Sequence, residues 1–262
     1  MVGKLYLVGC GLTPDLITLR ALTVAREADH VFVDSYTSRL LGDGLAKLEE
    51  LIGRKVEVLG RSDLEEGLTK KVLPLASTRR VALLVVGDPL VATTHNAIVV
   101  EAVKRGIDVE VVPGVSIVPT ALTLSGLMIY KMGRIATITY PVHGVLSEHP
   151  YNVLKDNDER GLHTLFLLEM DAEKGYYMRV PEAIEILYKL EERRGEGVVS
   201  PERLAVAVGA LGDRERQKVC PGTLGELIGF DADVPHTLIV VSPKPHFMEE
   251  EALDAAKRML CK

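Results

Sequence analysis

The sequence predicts two α/β domains, the first built on a mainly parallel sheet and the second on a mixed one. Three observations carry that reading. In the first half, short valine- and leucine-rich runs alternate with helical patterns every roughly 20–30 residues, as βαβ units do. The run Val81-Ala82-Leu83-Leu84-Val85-Val86 is apolar throughout, as a strand covered on both faces must be. Past residue 134, strands follow one another with fewer helices between them, which favours a mixed sheet. Lys131-Met132-Gly133-Arg134 reads as the hinge, giving domains 1–133 and 134–262.

The elements follow in order. Lys4 to Cys10 is a strand that stops at Gly9-Cys10-Gly11, and Leu16 to Ala28 is a helix with Leu19, Leu22, Thr23 and Arg26 at helical spacing. His30 to Asp34 is the second strand, Leu45 to Ile52 a helix and Lys55 to Leu59 the third strand. A helix begins after Asp63 in DLEEGLTKKVLPLAS. The fourth strand is the apolar run from Val81, ended by Gly87-Asp88-Pro89, where Pro89 cannot donate to a ladder. A helix spans Thr93 to Arg105, and Asp108 to Val112 is the fifth strand. Ser116 is placed to cap a helix running through Ala121 to Leu127.

In the second half, Ile135 to Tyr140 and His163 to Met170 are strands flanking a polar helix over Tyr151 to Gly161. Pro181 to Arg193 is an amphipathic helix, with Ala183, Ile186, Leu187 and Leu190 on one face. Leu204 to Val208 is a strand that Arg216 to Cys220 can pair with across Gly212-Asp213. A short helix over Gly222 to Ile228, a strand over His236 to Val241 and a helix over Glu249 to Leu260 close the chain.

Bulk properties narrow the function. At 262 residues with 47% hydrophobic and 26% charged, the chain has an ordinary globular composition. A net charge of −6 argues against a nucleic-acid-binding face. Cys10, Cys220 and Cys261 are odd in number and far apart, which predicts neither a disulfide nor a metal site and makes a reducing cytoplasm the expected compartment. The first residues run straight into a strand without a signal-peptide core, and no apolar run approaches the roughly 18 residues of a membrane span. A soluble, cytoplasmic protein is expected.

The chemistry concentrates at strand ends. The turns around Gly11, Asp88 and Ser116 are expected along one edge of the first sheet, where open α/β sheets place ligands. Gly9-Cys10-Gly11 is either a plain tight turn or a place where a ligand reaches the backbone. It is not a dinucleotide fingerprint, because Pro14 and Asp15 stand where a third small residue and a pyrophosphate would have to fit. Neutral backbone and small side chains there suit an adenosine without phosphate.

The residues also carry a likeness. GCGL at Gly9 to Leu12, DSYTS at Asp34 to Ser38, GDPLVATTH at Gly87 to His95, ERGLHTLFLLEMDAEKGYYM at Glu159 to Met178 and VPHTLIV at Val234 to Val240 resemble the diphthine synthase family. That family lies among the tetrapyrrole-methylase-like (class III) methyltransferases. The resemblance spans almost the whole chain. It implies a homodimer, with S-adenosyl-L-methionine as methyl donor bound in a cleft between two domains. It further implies methylation of the amino group of a modified histidine on translation elongation factor 2, in diphthamide biosynthesis. Three transfers are expected from the archaeal-type length. Carried over by position, the cofactor contacts are Leu12, Asp88, Val91, Ser116, Ile117, Leu168, Leu211 and His236. The alternative is a methyltransferase of the same fold acting on a tetrapyrrole, a corrin or porphyrin precursor.

Methyl transfer from a sulfonium is an in-line displacement governed by alignment and desolvation, and the sequence singles out no base. Asp88 is expected to bind the ligand. His95 admits two readings, a contact with the acceptor and a satisfied structural histidine; His236 likewise is either a cleft residue or a strand-end packing residue. The histidines show no metal-ligand spacing.

Overall fold

Valine and leucine at alternating positions of the first half build a parallel sheet with both faces covered. In this computed structural model, which describes residues 3–35, 40, 42–60, 63, 70–171 and 174–262, the strands are β1 (Lys4–Gly9), β2 (His30–Asp34), β3 (Glu57–Leu59), β4 (Arg80–Val85) and β5 (Asp108–Val112). Their order is β3-β2-β4-β1-β5, every pair parallel, so β4 lies at the centre. Val81, Leu83 and Val85 of β4 face one cluster with Leu5, Leu7, Phe32 and Ile98. Ala82 and Leu84 face the other with Val8, Ala21, Val33 and Leu48. Past Arg80 at its start, β4 carries no polar residue, because neither face offers a partner.

The helices of this half are α1 (Leu19–Glu27), α2 (Gly44–Ile52), α3 (Leu73–Ala76), α4 (Asn96–Lys104) and α5 (Ile117–Ser125). Two of these, α1 and α4, start three residues later than the sequence expectation, and α5 starts where Ser116 was expected to cap it. α1 begins three residues late because Pro14–Leu16 forms a 3-10 turn and Thr18 caps the helix, its hydroxyl accepting from the Ala21 N–H at 3.1 Å. α4 begins at Asn96, the loop from Asp88 being held by its own side chains. α5 starts directly after Ser116 and tolerates Pro119 in its first turn, where the N–H has no helical partner. Much of the helix expected after Asp63, and Tyr36 to Ser38 of the DSYTS stretch, lie outside the described residues.

In the second half the strands are β6 (Ala136–Ile138), β7 (Thr164–Leu168), β8 (Met170–Asp171), β9 (Tyr176–Tyr177), β10 (Leu204–Gly209), β11 (Lys218–Thr223) and β12 (His236–Val240). The helices are α6 (His149–Glu159), α7 (Val180–Arg194), α8 (Leu224–Leu227) and α9 (Phe247–Leu260). The main sheet runs β11-β10-β12-β7-β6 and is mixed as expected: only β6 and β7 are parallel, and β10 and β11 form the anticipated hairpin. β8 and β9, not foreseen from sequence, pair as a separate two-stranded ribbon. α7 lays Ala183, Ile186, Leu187 and Leu190 into the core and ends at Gly195, which takes the left-handed conformation at φ 63°. By contacts the chain divides into Met1–Ile117 with Asp171–Gly175, and Val118–Met170 with Tyr176–Lys262. That division falls ahead of the hinge read at residues 131–134.

One expectation is overturned. Cys220 and Cys261 form a disulfide, with Cα atoms 4.7 Å apart across 41 residues of sequence. Sequence distance concealed the pairing because α9 returns the chain end to β11 (Cys220 is on that strand). Cys10 is free and buried. Among the described residues, no helix is long and apolar enough to cross a membrane.

α9 is anchored by a carboxylate. The Glu249 side chain is fully buried and accepts from the Met128 N–H at 2.9 Å, the His246 N–H at 2.8 Å and the His163 Nε2 at 2.8 Å, with Lys131 Nζ at 3.2 Å. The other His163 nitrogen accepts from the Ser242 N–H at 3.0 Å, so the ring is a neutral link. Burial disfavours the Glu249 charge, but these donors together hold its pKa down to about 2 from the ordinary 4.5. A depressed carboxylate contributes stability that is complete above its unfolded pKa and disappears as pH falls through the folded one. The Glu249→Gln variant is therefore expected to melt several degrees below wild type at pH 7. The gap should narrow between about pH 4.5 and 2, as read by thermal unfolding across that range.

Candidate cofactor site

Three strand ends of the first sheet are drawn together by glycine. β1 ends in Gly9, and beyond it Gly11 and Gly87 exchange backbone hydrogen bonds at 3.3 and 2.8 Å. Both have φ +78°, a region L side chains rarely adopt. On Gly114, just past β5, a Cβ would lie 2.1 Å from the Gly87 carbonyl oxygen and 2.8 Å from Gly9 Cα. On Gly9 it would lie 2.6 Å from Gly114 N. Three backbones meet where no side chain fits.

Asp88 fastens this junction. One carboxylate oxygen accepts the Gly114 N–H at 3.1 Å and the other the Leu90 N–H at 3.0 Å. A carboxylate has about four acceptor positions, so both oxygens keep capacity for a ligand hydroxyl or ammonium. The side chain is half-buried, open enough to be reached. Leu12 stands close by, its Cδ2 3.8 Å from where a Gly87 Cβ would be. Ser116 is buried and Ile117 half-buried after the same junction. The first unit thus gathers Leu12, Asp88 and the Gly114–Ile117 segment, as the sequence reading anticipated. Asp15 lies in the turn that follows β1, with Thr13 Oγ1 donating to it at 2.7 Å. A carboxylate there is a poor neighbour for phosphate.

Val91 is on the same loop and 37% exposed, an apolar side chain available for contact. Its neighbour Ala92 has φ +56°. Such a conformation costs a residue with a Cβ about 1–2 kcal/mol and collects at functional loops. The second unit repeats the feature: Ala210, beside Leu211, has φ +44°. There, Leu168 ends β7, His236 opens β12, and Gly209 pairs with His236 in the ladder. Leu168, Leu211 and His236 therefore share one end of the second sheet.

The two singled-out histidines separate. In His236, Nδ1 accepts from the Val180 N–H and Nε2 donates to the Ala232 carbonyl, both at 3.1 Å. Burial lowers its pKa, keeping the ring neutral. Both nitrogens are committed to backbone, so any ligand contact at His236 uses other atoms. In His95, Nε2 lies 3.1 Å from Asp34 Oδ2, with both side chains buried. Its Nδ1 is buried without a partner among the described residues. Asp34 was missed as a site candidate, since it reads as the last residue of an ordinary strand. Among the described residues, no group of three or more His, Cys, Asp or Glu is placed to hold a metal ion.

The donor set fits S-adenosylmethionine: a half-buried carboxylate, close-packed backbone and apolar side chains, with no cation for a phosphate among the residues gathered there.

The family described as Tetrapyrrole (Corrin/Porphyrin) Methylases matches residues 4–228. Diphthine synthase of Methanocaldococcus jannaschii is 38% identical over 252 residues, spanning 95% of this chain and 97% of that one. Diphthine synthase of Methanocella arvoryzae is 41% identical over 250 residues, spanning 95% and 96%. A crystal structure of diphthine synthase superposes with a TM-score of 0.84 at 33% identity, covering 98% of this chain and 100% of that one.

The junction makes a direct prediction. Gly114→Ala should cost about 1–3 kcal/mol by overpacking and weaken S-adenosylmethionine binding as the strand ends move apart. At Gly106, where an added Cβ meets nothing, alanine should cost only the left-handed backbone penalty of about 1–2 kcal/mol and leave binding unchanged. Denaturant unfolding and titration calorimetry on both variants read the contrast.

Proposed function

Because the chain belongs to the tetrapyrrole (corrin/porphyrin) methylase family, and within it to the diphthine synthases, we propose that it methylates the amino group of a 3-amino-3-carboxypropyl-histidine on translation elongation factor 2. The chain is an S-adenosylmethionine-dependent methyltransferase. The observation that carries the substrate assignment is the full-length likeness to diphthine synthases at 38–41% identity. Three successive transfers give the trimethylated product. The enzyme works as a homodimer in the cytoplasm, where translation runs, and binds neither nucleic acid nor membrane.

Bound S-adenosylmethionine supplies a methyl group activated by its sulfonium charge. The chain's own residues supply placement. Asp88 receives a ribose hydroxyl or the methionine ammonium, already fixed by its two backbone donors. Leu12, Val91, Ser116, Ile117, Leu168, Leu211 and His236 are the further cofactor contacts, mostly apolar walls and backbone groups that exclude water around the adenine. Excluding water matters because a bare sulfonium and an amine then meet without a competing nucleophile.

Two experiments test this reading. Mass spectrometry of the elongation factor after incubation with enzyme and methyl donor should show added mass in steps of one methyl on the modified histidine. Label appearing instead in a corrin or porphyrin precursor would establish the tetrapyrrole activity. Asp88→Ala should weaken S-adenosylmethionine binding by more than about tenfold, the loss of one charge-assisted hydrogen bond. An unchanged calorimetric affinity would remove Asp88 from the site.

A further inference from the structure

Three histidines are buried in this protein, and they are not treated alike. His163 uses one nitrogen on Glu249 and the other on the Ser242 N–H. His236 uses both on backbone groups. His95, only 2% exposed, uses Nε2 on Asp34 and has no partner for Nδ1 among the described residues. A buried acceptor without a donor costs about 1–3 kcal/mol, and native structures rarely keep one without a use for it.

The chemistry of the pair is directional. Asp34 has only acceptor atoms when ionised, so the proton on the imidazole sits on Nε2 and Nδ1 carries a free lone pair. A carboxylate behind an imidazole fixes that tautomer and stabilises the imidazolium formed when the far nitrogen takes a proton. The pair also stands at the edge the cofactor site uses. Asp34 ends β2 and His95 closes the loop leaving β4, the loop that begins with Asp88; β2 and β4 are neighbours in the sheet. Cys10, following β1 on the other side of β4, is the further titratable group whose surroundings include Asp34. Burial, and to a lesser degree the Asp34 charge, push its thiol up to about 12. It stays protonated and does not compete as a base or nucleophile.

We propose that His95 Nδ1, with Asp34 positioning the ring, takes the proton that the acceptor amine must lose before each methyl transfer. This rests on the amine N-methylation reading above. The balance is simple. An ammonium acceptor gives one N–H proton to Nδ1 once docking has uncovered that atom, which the fold otherwise closes to solvent. Its freed lone pair then forms the N–CH3 bond while the C–S bond breaks and that electron pair stays on sulfur. The imidazolium, paired with the Asp34 carboxylate, releases its proton to water between turnovers. Each transfer to a nitrogen that still bears a proton needs the same step, so one group serves all rounds.

The test combines kinetics with spectroscopy. Glutamine at position 95 keeps a donor near the Nε2 position for Asp34 and removes Nδ1. His95→Gln is expected to lower kcat about 100-fold or more, within the range for a lost general base, with S-adenosylmethionine affinity within twofold of wild type. It should also lose the rising limb of the pH–rate profile. Asp34→Asn keeps an acceptor oxygen but removes the charge that stabilises the imidazolium, so the limb should move to lower pH and kcat fall about tenfold. In wild type, 15N spectra should show His95 protonated at Nε2 and bare at Nδ1. The proposal is overturned if His95→Gln keeps the wild-type kcat and pH profile. It is equally overturned if both variants lose cofactor affinity in step with rate, or if the proton is found on Nδ1. Wild-type methyl transfer to the elongation factor is the separate control: its absence defeats the substrate reading, while the tautomer measurement still judges the pair.

Discussion

Everything at the candidate site depends on how closely three parallel strands end beside one another. Side chains on Gly9 or Gly114 would collide with main-chain atoms of this junction, the Gly87 carbonyl among them, with hypothetical Cβ contacts of 2.1 to 2.9 Å to backbone. Parallel strands cannot be joined by short hairpins, so each end must turn sharply into its own connection. The usual outcome is a set of divergent loops. Here glycine lets the loops converge instead, and Asp88 ties the Gly114 turn to its own. The result is a surface of backbone and apolar atoms around one carboxylate, which suits a zwitterionic, phosphate-free nucleoside better than a nucleotide.

Charge is distributed differently in the two units. In the second, buried and half-buried carboxylates work as fasteners. Glu249 holds α9, Glu191 accepts the N–H groups of Gly197, Val198 and Val199 at 2.7–2.8 Å, and Asp158 meets the Arg203 guanidinium. Each is met by several donors, the condition under which a buried charge is tolerable. In the first unit, the buried His95 beside Asp34 is met incompletely, its Nδ1 having no partner among the described residues. The same physics that makes Glu249 inert makes His95 unusual.

Much of the architecture was legible because it follows from periodicity. The apolar β4 run announces a doubly covered strand, and Ala183, Ile186, Leu187 and Leu190 announce the buried face of α7. Element starts were less legible, since they turn on single side chains such as Thr18, whose hydroxyl rather than any pattern sets where α1 begins. The disulfide was invisible for a topological reason: nothing in the spacing of Cys220 and Cys261 reports that α9 packs against β11. At the site, the glycine turns and Asp88 were readable from strand-ending chemistry. Asp34 was not, because a carboxylate at a strand end looks solvent-bound until a partner from another strand's loop is seen beside it.

The loop from Asp88 to His95 concentrates costs that the rest of the fold avoids. Ala92 holds a left-handed conformation without being glycine, and His95 buries an unpaired nitrogen. Together these oppose folding by about 2–5 kcal/mol, a sizeable share of the roughly 5–15 kcal/mol by which domains are stable. Such a loop keeps its shape only if its surroundings determine it. They do: Asp88 accepts from Leu90, Thr93 Oγ1 donates to the Pro89 carbonyl at 2.6 Å, and Asp34 takes the far side of His95. A loop braced at both ends holds the strained residues between them in a set conformation. Such placement is what an in-line displacement asks of its protein, since the reaction gains from fixed geometry more than from any single contact.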